Sequence, residues 1–323
     1  MFSYRFLLKQ AWSITKKHRY LWFFGIFASL LATGGEYQII TQGLNNDPGG
    51  SFVSVGNFLL YNLFNPSFYE GFRTVIATNP AAFWSLLTVA LLALALAVIM
   101  LYLAIISQAA LVNQSAQIIT GKKKKDSLGI MSGLKTERRH FWRVLALNIA
   151  SSLFISLSFL IVSLPLIFLL LTNTEFLTVA YAFLFVIFVP ISLSVALIIK
   201  YAIAVRVLEN RSFIASLTKG WLIFSNNWLV SLEMAVILFF ISFAVGLGTI
   251  IIISLFLLPL LAISLMFYLP LLTALSFILI LAAMVITASI LSSFQIAAWT
   301  GLYLQLKDKK GHSKLERMAK RTR

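Results

Sequence analysis

Residues 196–228 read ALIIKYAIAVRVLENRSFIASLTKGWLIFSNNW. Apolar residues fill every turn up to Val205 except at Lys200, and then Arg206 and Arg211 bracket Glu209 and Asn210. Apolar side chains resume with helical spacing at Phe213, Leu217, Trp221 and Phe224, and Ser212 stands where a helix needs its N-cap. The stretch therefore reads as an apolar helix leaving a membrane, a polar turn, and a short amphipathic helix whose stripe faces the membrane. A second apolar helix then enters at Trp228, an interfacial residue.

The rest of the chain has the same character. Of its 323 residues, 60% are hydrophobic and 11% charged, whereas a soluble chain carries about 25% charged residues. This predicts an all-α, polytopic membrane bundle. The net charge of +16 would suggest nucleic acid on a soluble protein, but its distribution excludes that partner. Lys and Arg gather at Arg5–Arg19, Lys122–Arg143, Lys200–Lys219 and Lys307–Arg323, with Arg73 outside them. Basic residues flanking spans stay in the cytoplasm, so four clusters mark four visits to that side. Two crossings between successive visits give six spans, with both termini inside. The spans fall near residues 20–40, 82–112, 142–171, 176–205, 229–256 and 272–304, in one transmembrane domain over 1–306 with a basic cytoplasmic tail at 307–323. The expected location is a membrane, with these basic clusters on its cytoplasmic side. The chain has no cysteine, which excludes disulfides and thiolate metal sites.

Residues 3–17 read as an amphipathic helix on the inner membrane surface, with Tyr4, Leu7, Leu8, Ala11, Trp12 and Ile14 on one side. The span after it has a short clean apolar core, which also admits a cleavable signal sequence. Residues 41–80 form the one sizeable external loop. In the second span Ala90, Ala93, Ala97 and Ala104 share a face that lets another helix approach. Asn113, Gln114 and Gln117 share another face, suited to interhelical hydrogen bonds or to a substrate. Pro165 and Pro190 lie inside spans, and Pro259 and Pro270 are the expected punctuation of the last external turn, with a re-entrant piece near 254–271 as the alternative. Six of the seven tryptophans fall near the inner interface and Trp84 near the outer one, as an aromatic belt.

Three cytoplasmic exits, at 106–123, 198–212 and 293–309, each end a long span with polar residues and run into basic ones. The re-entries correspond too, since a short helix precedes Trp22, Trp142 and Trp228. This predicts three hairpin units, each a short cytoplasmic helix followed by two spans.

The chemistry-bearing residues are few. His18, His140 and His312 lie far apart in basic segments, and no nucleotide-binding glycine loop or metal-ligand spacing occurs. The sequence predicts no catalytic residue, no cofactor and no metal. One charge pair stands out. Lys200 lies six residues inside Arg206 and Glu233 five inside Trp228, depths of about 9 and 7.5 Å at 1.5 Å per residue. Ionisable groups at matching depth on consecutive spans are expected to pair. Lys122, Lys123, Lys124, Lys125, Arg138 and Arg139 are the candidate contacts for anionic lipids of the cytoplasmic leaflet.

AWSITKKHRYLWFFGIF at 11–27, VLENRSFIASLTKGW at 207–221 and NNW at 226–228 carry a resemblance to a group of uncharacterised bacterial six-span proteins. These are similar to the membrane domain attached to some glycerophosphodiester phosphodiesterases. The resemblance implies fold and location only, because the phosphodiesterase domain and its acidic and histidine metal ligands are not in this sequence. The expectation is a non-catalytic scaffold or accessory protein that contacts anionic lipid, a protein partner or a second copy through its basic face. The alternative is a small-molecule or lipid transporter, which would show a polar cavity at mid-membrane.

Overall fold

The computed structural model describes residues 4–32, 80–121, 129–172 and 175–307. These residues are 95% helical and contain no strand, so the chain is an all-α membrane bundle. In order the helices are α1 (Tyr4–Lys17), α2 (Tyr20–Ala32), α3 (Pro80–Thr120), α4 (Ile130–Glu137), α5 (Phe141–Thr172), α6 (Glu175–Glu209), α7 (Phe213–Asn226), α8 (Trp228–Ile252), α9 (Leu258–Met266) and α10 (Pro270–Leu306). A 3-10 turn, Arg138–His140, joins α4 to α5, and a π turn, Ile253–Leu257, joins α8 to α9.

Among the described residues five stretches are long and apolar enough to cross a membrane: Phe83–Thr120 in α3, Ile130–Ser158 from α4 into α5, Val186–Glu209 in α6, Trp228–Met266 along the continuous α8–α9 rod, and Pro270–Leu306, which is α10. Their outward side chains match that role, since Phe240, Ile250, Phe256, Ile278 and Leu281 are each at least 60% exposed. Helix α2 has 13 described residues, a length of about 20 Å against a hydrocarbon core of about 30 Å. The remainder of the first expected span, from residue 33, lies outside the described residues, as does the loop at 41–79.

Boundaries shift where local chemistry overrides hydropathy. Helix α3 continues to Thr120 instead of ending at 112, because Asn113, Gln114 and Gln117 find partners inside the protein. The fifth expected span runs past 256 to Met266, and Pro259 does not break it. Pro259 sits at the start of α9, directly after the π turn, where its missing N–H breaks no regular ladder. The turn is Phe267-Tyr268-Leu269, with Tyr268 at φ 50°, and Pro270 opens α10.

Two units divide the chain. The smaller holds described residues 80–102, 155–172 and 175–193. In it, the middle of α3 is exposed on all sides, Ala90, Ala93 and Ala97 included. Of the expected small-residue face these three are thus exposed, while its fourth member, Ala104, is buried in the larger unit.

The larger unit holds 4–32, 103–121, 129–154 and 194–307 and contains the core. Helices α1 and α2 both pack on α10. Ser289 and Ser293 of α10 donate to the carbonyls of Trp22 and Leu21 at 2.5 and 3.1 Å. Gly25 faces the Ser289 carbonyl so closely that a Cβ there would overlap it. Hydroxyl-to-backbone bonds at a small residue are how helices hold one another where lipid is as apolar as a core. Ile14, Leu21, Phe24, Ala28, Ala110 and Leu111 form a buried cluster beside this contact.

The amphipathic helices dock on protein. Tyr4, Leu7, Ala11 and Ile14 of α1 are buried, and Leu7 touches Gly301 of α10. On α4, Gly133 packs against Phe24 and Gln114. On α7 the buried residues are Ser216, Gly220 and Ile223, and a Cβ on Gly220 would stand 2.9 Å from the Ile198 carbonyl of α6. Of the expected membrane-facing stripe of α7, Trp221 is exposed and Phe213, Leu217 and Phe224 are half-buried; Ile214 and Leu222 also face outward, and the face centred on Gly220 faces the bundle. Lipid and protein interior are equally apolar, so hydropathy alone does not separate them.

Candidate functional site

The polar end of the larger unit is built around two carboxylates. Glu137 closes α4 and His140 follows three residues later, which places both on one side of the turn. Both are 1% exposed, and His140 Nδ1 lies 2.8 Å from Glu137 Oε2. Asn113 of α3 donates to the other carboxylate oxygen at 2.5 Å, and Gln117 donates to Asn113 at 3.2 Å. Gln114 donates to the Gly129 carbonyl at 2.9 Å, fixing the entry of α4. His140 Nε2 reaches Asn210 Oδ1 at 3.4 Å. Asn210 has φ 53°, a left-handed conformation that asparagine tolerates better than most residues. One buried network thus ties α3 and α4 to the α6–α7 turn.

Glu209, at the polar end of α6 beyond the apolar run that stops at Val205, is the second centre. It accepts from Lys219 at 2.6 and 2.7 Å, from Tyr303 at 2.7 Å and from Arg211 at 3.0 Å, and Lys307 lies 3.2 Å away. Burial alone raises the carboxyl pKa, but the hydrogen bonds from Lys219, Tyr303 and Lys307 outweigh it and lower it to about 2. The carboxylate is therefore ionised throughout the physiological range, and it clamps α6, α7 and α10 together. Arg206, 1% exposed, donates through Nη1 to the Arg211 carbonyl, while its Nε and Nη2 find no acceptor among the described residues. Ser212 caps α7 as expected, accepting from the Ala215 N–H at 3.4 Å.

Deeper along the helices, the Tyr201 and Ser231 hydroxyls meet at 2.7 Å. Tyr201 adjoins Lys200 and Ser231 lies two residues before Glu233, so the two ionisable residues stand at one level of neighbouring helices. Glu233 accepts from the Tyr4 hydroxyl of α1 at 2.5 Å, and the Lys200 ammonium lies 4.9 Å from the ring centroid of Trp299. Trp299 is buried, which corrects its expected place in the interfacial belt; Trp12, Trp84, Trp142, Trp221 and Trp228 are exposed. Other polar side chains inside the apolar helices bond to one another. Gln295 donates to Ser242 at 2.5 Å and Thr273 to Ser264 at 3.0 Å.

Comparison with known protein families, curated proteins and solved structures gives no match. The site is therefore read from its own geometry. Arg138 and Arg139 are exposed, as lipid contacts must be. Lys122, Lys123, Lys124 and Lys125 lie outside the described residues. Among the described residues no group of three metal-ligating side chains converges. Sequence reasoning placed Arg206 and Glu209 in the polar turn and His140 in a basic segment, but gave none of them, nor Glu137, a part in a buried network. The available signal was a lone acid in each of two basic runs, Glu137 among Lys135, Arg138 and Arg139, and Glu209 between Arg206 and Arg211.

Proposed function

We propose that this is a non-catalytic, multi-pass scaffold or accessory protein whose basic face contacts anionic lipid and partner proteins. One observation carries the reading: Glu137, Glu209 and Glu233 are all engaged by donors from within the protein. The charge turned outward is consequently positive, with Arg5, Lys9, Lys16, Lys17, Arg19, Lys135, Arg138, Arg139 and Arg143 exposed. Such side chains beside apolar helices attract anionic head groups. The positive-inside rule supports a cytoplasmic position for this face, and the resemblance to bacterial six-span proteins supports the inner membrane of a bacterium as the location. The three short helices, each entering an apolar helix, support the reading of three repeated hairpins and suit the resemblance to the phosphodiesterase-associated membrane domain. Mutual bonding of interior polar side chains, as in Gln295–Ser242, favours helix packing over a transport path.

The test is thermal unfolding of delipidated, detergent-solubilised protein titrated with phosphatidylglycerol or phosphatidylcholine. Anionic lipid should raise Tm more than zwitterionic lipid, and the difference should shrink in high salt. An equal response to both lipids would overturn the proposal.

A further inference from the structure

A cleft of about 370 Å³ opens along α1. Its polar lining comes from Lys9, Gln10, Ser13, Lys17 and His18, and its apolar walls from Phe6 and Ile14 of α1 and Ile118 of α3. At 100° per residue, Phe6, Gln10, Ser13 and Lys17 fall within about 60° of one another, with Lys9 adjoining them. This is a different side of α1 from the Tyr4, Leu7 and Ala11 face that docks on the bundle. Among the described residues no carboxylate lines the cleft. Lys9 and Lys17 are exposed, so their ammonium groups are free to turn towards an anion.

Three features define the occupant. Two ammonium groups, an amide and a hydroxyl without an acid select an anion, with donors to satisfy several oxygens at once. The volume lies within the usual range of small-molecule sites, about 300–1,000 Å³, larger than one inorganic phosphate needs. Phe6, Ile14 and Ile118 then offer an apolar wall to something attached to that anion. The cleft also sits beside the elbow where α1 turns into the apolar helix α2. Trp22 Nε1 donates to the Thr15 carbonyl at 2.9 Å to hold that elbow, and Tyr20 and Trp22 are residues typical of the head-group level.

We infer that this cleft binds the phosphodiester head of an anionic glycerophospholipid, with Lys9 and Lys17 on the phosphate, Gln10 and Ser13 on neighbouring oxygens, and the first acyl carbons along Phe6 and Ile118. The inference rests on the lipid-facing reading of the basic face and deepens it from a diffuse attraction to a shaped site. It also moves the site to α1, away from Arg138 and Arg139.

The experiment is native mass spectrometry of the full chain in neutral detergent. Retention of phosphatidylglycerol is compared with that of phosphatidylcholine for wild type, K9Q/K17Q, R138Q/R139Q and S13F. Each lysine near the surface contributes roughly fivefold, so K9Q/K17Q should hold phosphatidylglycerol about thirtyfold more weakly. S13F fills the cleft at an exposed position without altering charge, and it should lose retention while R138Q/R139Q keeps most of it. Wild type that prefers phosphatidylglycerol, with K9Q/K17Q and S13F losing no more than R138Q/R139Q, overturns the cleft and leaves the basic-face reading standing. Wild type without a preference overturns both. Displacement of the lipid by equimolar inorganic phosphate overturns the lipid as occupant and assigns the cleft to a soluble anion.

Discussion

Replacing Glu209 by glutamine removes one charge from the place where α6, α7 and α10 are held together, and the size of the effect follows from the surroundings of each partner. Glu209 is 11% exposed, Lys219 22%, Lys307 36% and Arg211 52%. The two more exposed cations contribute little, about 0.3 kcal/mol each, as surface pairs do. Lys219 and the buried hydroxyl of Tyr303 weigh more, because hydrogen bonds to a charged group contribute about 1.5–3 kcal/mol and glutamine keeps only part of them. A net loss of about 2 kcal/mol results. The pH dependence has a definite sign. The folded carboxyl titrates at about 2, below its ordinary value of 4.5. Its stabilisation is therefore complete above pH 4.5 and fades as the pH falls towards 2. Chemical unfolding of wild type and E209Q in mild detergent, from pH 7 to pH 3, should show the gap at its full size near neutrality and narrowing below pH 4.5. A gap under 0.5 kcal/mol at pH 7, or one that stays constant to pH 3, would refute the reasoning.

Two further outcomes are expected. Gly25→Ala drives a methyl group into the Ser289 carbonyl and should destabilise by about 1–3 kcal/mol, whereas Gly246→Ala, with open space around its Cα, should be neutral or slightly stabilising; melting temperatures of the two variants check the contrast. The proposed Lys200–Glu233 pair should show a coupling of at least about 0.5 kcal/mol in a double-mutant cycle of Lys200→Met and Glu233→Gln, and strictly additive effects would remove it.

Much of the helical pattern was legible because hydropathy and punctuation agree. The Glu209–Ser212 turn, the Ser212 cap and the short helix before Trp228 all follow from local chemistry that tertiary contacts leave undisturbed. Asn113, Gln114 and Gln117 were readable as a polar face: Asn113 and Gln114 donate to Glu137 and Gly129 at the two ends of α4, and Gln117 supports Asn113 from within α3. What an apolar stripe touches was less legible. Leu7 and Ala11 look identical in sequence whether they meet lipid or another helix, so the stripe of α1, expected on the membrane surface, is found against the bundle. Trp299 was assigned to the interface by residue type, although its neighbours Ala297, Ala298 and Gly301 leave room for burial. The Glu137 and Glu209 networks join residues far apart in the chain, Tyr303 and Lys307 to Glu209 and Asn210 to His140, separations that no local pattern encodes.

The bonds from Ser289 and Ser293 to α2 join residues 267 and 272 positions apart, one near the beginning of the chain and one near its end. During synthesis α2 is made among the first helices, yet the hydroxyls that hold it arrive with the last. At about 5–20 residues per second, its Gly25 face waits roughly 15–50 s for its partner. The larger unit therefore closes only after α10 is inserted. A chain truncated before α10 leaves α1 and α2 without their seat.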